Sequence, residues 1–167
     1  MQSFLSEEEI LKHREYLKSL NLKFSILEKS IKDAKSQIEV IRALSGEERR
    51  GAEELFSMIS LHELFFSSFS DNTSFKNERI ARQYGSEAGF LYALYKMGLK
   101  SKPSFLSVLR RGERIFPVLS EDYLYLSSLG KPVLTIDLYE HAYYRDYGFD
   151  KEKYLEGALR HLNLAKL

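Results

Sequence analysis

The first third of the chain alternates apolar and polar positions with the period of an α-helix. Ser6 followed three residues later by Glu9 is the pattern of a capping box, which predicts that a helix begins near Glu7. Apolar residues then recur three or four positions apart as far as Leu44. The sequence therefore predicts one long helix or two, bent somewhere within 21–33.

Two further helices are predicted before residue 100. Gly46–Glu47–Glu48 begins the first of them, which should run to about Phe69. The Asp-Asn-Thr-Ser of residues 71–74 predicts a loop and a helix cap. The next helix is predicted from about Phe75 to Met97, and Tyr84–Gly85–Ser86 could interrupt it.

Beyond residue 100 the pattern changes to short apolar runs, which are typical of strands. The predicted strands are 103–110, 115–119 and 132–136. An Arg-Gly-Glu between the first two indicates a hairpin, a short connection is predicted at 143–147, and a last helix over Lys151–Leu164. This order predicts an α+β fold, in which a helical hairpin or bundle precedes a small antiparallel three-stranded sheet with helices. We expect two domains, 1–72 and 73–167.

Composition narrows the classes of function. The 167 residues are 44% hydrophobic, with 11 Phe and 11 Tyr, which is typical of a packed globular protein. Lys and Arg number 25 against 24 Asp and Glu, so the basic excess of a nucleic-acid-binding protein is absent. Neither a signal sequence nor a membrane span is recognisable, so we expect a cytoplasmic protein that binds no membrane. Cys is absent, and any metal must be bound by His, Asp or Glu, which suit iron and manganese.

The stretch most suggestive of chemistry follows the third predicted strand. Asp137 and His141 are four residues apart, so a carboxylate and an imidazole can converge on one point. The spacing alone leaves two interpretations open. The pair could bind a metal ion, or it could only form a hydrogen bond at the end of a strand.

The residues around this pair resemble a known family. Asp137–Tyr144 is similar to the signature Asp-x-Trp-Glu-His-Ala-Tyr-Tyr of the iron/manganese superoxide dismutases, which follows a strand that begins with proline. Pro132 begins the strand here, and Tyr154 falls without a gap on a Tyr of the family's last helix. Leu61–Phe66 resembles the family's Asn-His-x-x-Phe-Trp, and Leu5–His13 resembles its Ile-Ser-x-x-x-Ile-x-x-His.

The resemblance implies a mononuclear centre that holds one iron or manganese ion per chain. The implied metal ligands are His13, His62, Asp137 and His141. The implied reaction is the dismutation of superoxide, or chemistry on another small oxygen species. Tyr144 would lie beside the substrate funnel, and Glu140 would hydrogen-bond the ligand histidine of a second copy in a homodimer. Tyr139 would belong to the same surrounding layer, and His161 is left as a surface residue.

The first helix departs from the family pattern. Counting from His13, the family's second His and its gateway Tyr fall on Leu17 and Asn21, so the proton-delivery pair is missing. An alternative register makes Tyr16 the gateway residue but puts Glu8 where a His ligand belongs. We prefer the first register because His is the better ligand and the helix start aligns without gaps.

The layer around the ligands also differs from the family. Glu121 stands sixteen residues before Asp137, where the family often has an active-site Gln. A Gln amide can donate a hydrogen bond into the site, whereas an ionised Glu can only accept one. Tyr139 and Phe66 replace two family Trp residues. Glu121 and Tyr144 are the residues that we expect to take part in catalysis.

Three functions fit these features. The first is a superoxide dismutase-like metalloprotein whose activity is weakened or altered by its changed surroundings. The second is an iron or manganese oxidoreductase that uses dioxygen or peroxide at the same site. The third is a structural or interaction protein that kept the fold without catalysis.

Overall fold

A computed structural model describes residues 4–31, 34–70 and 77–167, and helices dominate its first hundred positions. These helices are α1 (Glu7–Ser30), α2 (Gln37–Ala43), α3 (Gly46–Ser67), α4 (Glu78–Tyr84) and α5 (Glu87–Lys100). The predicted start near Glu7 is confirmed, and Ser6 caps it by accepting a hydrogen bond from the Glu9 amide at 3.1 Å. The interruption at Gly85 is confirmed too, with φ at +76° in the left-handed region that glycine tolerates. The predicted loop at 71–74 and the helix start at Phe75 lie outside the described residues.

Three antiparallel strands form one sheet in the order β2–β1–β3. They are β1 (Phe105–Arg111), β2 (Arg114–Ser120) and β3 (Lys131–Asp137). Arg111 pairs with Arg114, which leaves Gly112 and Glu113 as the predicted hairpin turn. The central strand β1 also pairs with β3, so that Phe105 lies opposite Asp137. The α+β class with a small antiparallel sheet is therefore confirmed.

The remaining helices lie around this sheet. They are α6 (Tyr123–Leu129), α7 (Tyr144–Tyr147) and α8 (Lys151–Arg160), with 3-10 turns at Glu140–Ala142 and Leu164–Lys166. The sequence did not predict α6, which Asp122 caps by accepting a hydrogen bond from the Tyr125 amide at 2.9 Å.

The prediction that the last helix continues to Leu164 was wrong, because α8 ends at Arg160. Leu162 forms a β-bridge with Phe69, and the Ser70 amide donates to the His161 carbonyl at 2.8 Å. Extended backbone is needed for this pairing, so the helix stops before it. His161 is also half-buried and stacks on Phe4, which corrects its prediction as a surface residue.

One apolar core joins the helical part to the sheet. Phe4 and Phe65 from the first part pack in the same cluster as Leu106 and Tyr154 from the second. A second cluster fills the space between α1, α2 and α3. The division into domains 1–72 and 73–167 stays a prediction, and its boundary lies outside the described residues. No helix within the described segments has the length and apolarity needed to cross a bilayer.

Candidate metal centre

Four side chains from separate segments meet where the helices face the end of β3. His13 lies on α1, His62 on α3, Asp137 at the last position of β3, and His141 in the 3-10 turn that follows. One nitrogen or oxygen atom of each lies within 4.8 Å of the others. His13, His62 and Asp137 are at most 1% exposed, whereas the His141 side chain is 38% exposed.

The three imidazoles converge on a single carboxylate oxygen. Oδ2 of Asp137 lies 3.2 Å from Nε2 of His13, 3.6 Å from Nε2 of His62 and 3.2 Å from Nε2 of His141. The His13 ring stands at 88° to the His62 ring and at 85° to the His141 ring. The donor atoms therefore approach one point from different directions.

Local hydrogen bonds fix the orientation of two of these groups. Nδ1 of His62 lies 2.6 Å from the Met58 carbonyl, which can only accept, so Nδ1 carries the proton and Nε2 presents a lone pair. Oδ1 of Asp137 accepts from the Tyr139 amide at 2.9 Å, which directs Oδ2 towards the imidazoles. The buried Tyr154 hydroxyl donates to the Asp137 carbonyl at 2.7 Å.

The polar atoms at this point lack the hydrogen bonds that buried groups normally make. Both ring nitrogens of His13, Nε2 of His62 and Oδ2 of Asp137 are buried without a hydrogen-bond partner. Such atoms are costly unless something binds them. Three imidazoles and one carboxylate are a donor set that suits iron or manganese, so the residues fit such an ion.

Charge and burial set the protonation of the cluster. Burial raises the pKa of Asp137, but the imidazoles of His13 and His141 against it outweigh burial and hold its pKa well below the usual range. Burial lowers the pKa of His62 to about 4, so this ring is neutral at pH 7. Burial also lowers the pKa of His141, but the Asp137 carboxylate outweighs that effect and the net pKa is raised.

Comparison with known proteins shows the family to which the chain belongs. The model of the iron/manganese superoxide dismutases, C-terminal domain, matches residues 71–167, which is more than half of the chain. The chain belongs to the iron/manganese superoxide dismutase family. It is 31% identical over 114 residues to a protein of Cupriavidus metallidurans named iron superoxide dismutase. The match covers 64% of this chain and 57% of that relative, so the chain spans little more than half of the relative's length.

The family match contains only two of the four donors. Asp137 and His141 lie inside the matched residues, whereas His13 and His62 lie before them. The family match therefore does not cover His13 and His62, and it is the tertiary structure that brings them beside Asp137 and His141. Glu8, the ligand of the alternative register, is exposed and pairs with Arg145 instead.

Aromatic side chains surround the centre, and two of them, Phe66 and Tyr139, stand where the resemblance to the family puts Trp. Phe66 packs against His13 with ring centroids 5.1 Å apart. Tyr139 stacks on His141 at 5.5 Å, with an interplanar angle of 23°. Phe105 closes the other side, 5.2 Å from His62. The surroundings remain aromatic, but Tyr139 contributes a hydroxyl.

A cavity of about 380 Å³ leads from the surface to the candidate centre. Its lining includes His13, His141 and Tyr144, and Tyr144 is half exposed and packs against Phe149 at 5.1 Å. Tyr144 thus lies at the mouth of the cavity. Glu140 is exposed, and within the described residues its side chain makes no hydrogen bond or ion pair.

Glu121 lies outside the ligand cluster. It is exposed and lines a different cavity, of about 640 Å³. Its carboxylate is connected to the centre through Tyr139. Burial and the neighbouring Glu121 carboxylate together raise the pKa of the Tyr139 hydroxyl well above its usual range, so Tyr139 remains protonated.

Two residues beside the centre were not assigned a role in the preferred register. The Tyr16 ring lies 5.3 Å from that of His62 and 5.2 Å from that of His141. Its position three residues after His13, on the same helical face, was the available signal. Glu9 is 2% exposed and lines the cavity near His13 and His141. The capping-box pattern had assigned its carboxylate to the helix start instead.

Proposed function

We propose that this chain binds one iron or manganese ion through His13, His62, Asp137 and His141 and dismutates superoxide. The observation that supports this most is the convergence of four donors whose buried atoms have no hydrogen-bond partners. Membership of the superoxide dismutase family supports the same reaction. A bound ion would supply a centre that alternates between two oxidation states. Two superoxide ions and two protons then give one dioxygen and one hydrogen peroxide.

The chain's own residues would serve this reaction in three ways. The Met58 carbonyl keeps the His62 proton on Nδ1, so that Nε2 is available as a ligand. Phe66 and Phe105, which pack against His13 and His62, exclude water from the buried side of the centre. Tyr16 and Tyr144 line the cavity through which a small oxygen species would enter.

Proton delivery distinguishes this chain from the family pattern. Leu17 packs in the helical core, and the Asn21 amide donates to the Leu17 carbonyl at 3.1 Å, so neither can take the part of the missing His and Tyr. Glu121 stands beside the Tyr139 hydroxyl and can only accept a hydrogen bond, whereas the Gln that the family often has there can donate one. We therefore propose that dismutation is weaker than usual. Oxidation chemistry on dioxygen or peroxide is the second candidate, which Glu121 would favour as an added ligand, but Glu121 lies outside the ligand cluster.

A homodimer belongs to the same proposal. Glu140, next to His141 in sequence, is exposed, and so are Tyr144 and Phe149, which pack against each other. A second copy would cover them and allow Glu140 of one copy to accept from His141 of the other. Sedimentation of the wild type as a monomer at micromolar concentration would contradict this proposal. The cytoplasm as compartment stays a prediction.

Metal content is the decisive measurement. Protein purified from iron- or manganese-rich medium should contain about one ion per chain, and His62→Ala should lose it. His161→Ala is the matched control, because His161 lies outside the cluster. Wild-type protein without stoichiometric metal would leave a structural or interaction protein as the function.

A superoxide consumption assay on the metallated protein then separates the two catalytic candidates. Dismutation should exceed that of the same concentration of free ion. A rate no greater than that of the free ion would exclude superoxide dismutation and favour chemistry on dioxygen or peroxide.

A further inference from the structure

The first turn of α1 is fastened to the segment that follows His141. The Glu9 carboxylate accepts a hydrogen bond from the Arg145 amide at 2.8 Å. The Ser6 amide donates to Oδ2 of Asp146 at 2.6 Å, and Glu8 forms an ion pair with the Arg145 guanidinium. These contacts join residues about 140 positions apart in sequence.

Glu9 differs from the other members of this connection in its burial. It is 2% exposed, whereas the Glu8 side chain is 67% exposed. Glu9 also lies one helical turn before His13 and lines the cavity that His13 and His141 share. Burying a carboxylate costs free energy, so its retention here requires a specific benefit.

The local sequence directs Glu9 elsewhere. In a capping box, the Glu at this position accepts from the amide of the capping residue, here Ser6. In the structure the Ser6 amide donates to Asp146 instead, and the Glu9 carboxylate accepts from the Arg145 amide. A tertiary contact has therefore replaced the local one, in the turn that leads to His13.

We propose that Glu9 is a positioning residue of the metal centre. Its hydrogen bond to the Arg145 amide holds the helix of His13 at a fixed distance from the segment of His141, so that both imidazoles are in place before the ion binds. This proposal rests on the proposed assignment of these histidines as ligands.

The other ligand segments have their own connections. The Thr135 amide, two residues before Asp137, donates to the Ser68 hydroxyl at the end of α3 at 2.8 Å. The segments of His62 and Asp137 are thus joined directly. The buried Glu9 side chain joins the segments of His13 and His141 in a similar way, through its hydrogen bond to the Arg145 amide. The exposed ion pair of Glu8 contributes little to such a connection.

Three variants test the proposal on metal-loaded protein. Glu9→Ala removes the acceptor, Glu9→Gln keeps an oxygen that can accept from Arg145, and Glu8→Gln is the control in the same turn. The readouts are the electron paramagnetic resonance spectrum of the ferric form and the rate of metal release to a chelator. Loss of residues that support metal ligands typically weakens metal binding about 10- to 100-fold.

We expect Glu9→Ala to release metal about tenfold faster and to broaden the spectrum, because the ligands adopt several geometries. Glu9→Gln should restore the wild-type spectrum, and Glu8→Gln should leave spectrum and release unchanged. A wild-type spectrum and release rate in Glu9→Ala would overturn the proposal. Equal changes in Glu9→Ala and Glu8→Gln would also overturn it, since they would indicate only a weakened helix end.

The remaining outcomes are also decisive. If Glu9→Ala does not fold, Glu9→Asp, which keeps the charge but shortens the reach, should give the same faster release, and wild-type release from it would overturn the proposal. Failure of the wild type itself to bind metal would overturn the proposed function and this inference together. Metal binding by the wild type with unchanged Glu9 variants would overturn this inference alone.

Discussion

Asp137 controls the charge of the candidate centre at the scale of single residues. It is fully buried, and three imidazole nitrogens lie within 3.6 Å of one of its oxygens. Its charge acts oppositely to burial on the pKa of His62 and of His141. For His62 burial prevails, and for the more exposed His141 the charge prevails.

This balance predicts the order in which the histidines titrate in metal-free protein. Proton NMR should give His141 a pKa above 6.5 and His62 a pKa near 4. The raised pKa of His141 stabilises the fold at low pH, an effect lost as the pH rises through it. The lowered pKa of His62 costs stability as the pH falls from 6.5 towards 4.

Asp137→Asn is the check on the cause of these shifts. Removing the negative charge should lower the pKa of His141, because burial is then opposed only by the weaker effect of the Glu9 charge. A His62 signal that titrates near 6.5 in the wild type would contradict the burial that the structure gives it. Because His141 must lose its proton to bind an ion, metal binding should strengthen as the pH rises through the His141 pKa.

Glu121 carries the second prediction at this scale. Glu121→Gln should raise the dismutation rate through Tyr139, because an amide beside the Tyr139 hydroxyl can donate to it whereas the carboxylate can only accept. The rate is measured on fully metallated protein, with metal content determined in the same sample. An unchanged or lower rate would contradict the proposed effect of Glu121.

At the scale of elements, Ser68 joins the end of α3 to β3. Its buried hydroxyl accepts from the Thr135 amide at 2.8 Å and donates to the Leu64 carbonyl at 2.7 Å. The Asn163 amide donates to the Ser68 carbonyl at 2.8 Å. This contact sets the distance between the elements that carry His62 and Asp137.

Ser68→Ala should therefore destabilise the protein measurably. The substitution leaves the Thr135 amide buried without an acceptor, which costs about 1–3 kcal/mol. The measurement is the free energy of unfolding in denaturant. Ser67→Ala is the matched control, because the Ser67 hydroxyl donates to the same Leu64 carbonyl from an exposed position. Its effect should stay within about 0.5 kcal/mol, and equal effects would contradict the role of Ser68.

At the scale of the whole molecule, a bound ion would join four segments that come from both parts of the chain. Ligands that bind only the folded state stabilise it by mass action, by about 2.7 kcal/mol at a free concentration one hundredfold above Kd. Removal of the ion should therefore lower Tm by roughly 5–10 °C.

Calorimetry of metallated and metal-free protein measures this difference. His62→Ala should abolish it, since one donor is lost, while His161→Ala should retain it. A Tm that does not depend on metal in the wild type would contradict a centre formed by these four side chains.

The sequence by itself determined the elements that depend on neighbours along the chain. Ser6 fixed the start of α1, glycine fixed the interruption at Gly85 and the turn at Gly112, and apolar runs fixed the three strands. The family signature around Asp137 also lies in one short stretch. Capping, turn geometry and side-chain periodicity act over a few residues, and the sequence records them directly.

Only the tertiary structure decided which distant groups meet. It ended α8 at Arg160, because Leu162 pairs with Phe69, and it placed the Tyr16 ring beside that of His62. It also turned Glu9 from the amide that local sequence assigned to it towards Arg145. The physical reason is that a buried polar group takes whichever partner the packed chain presents, and that partner can lie more than a hundred residues away.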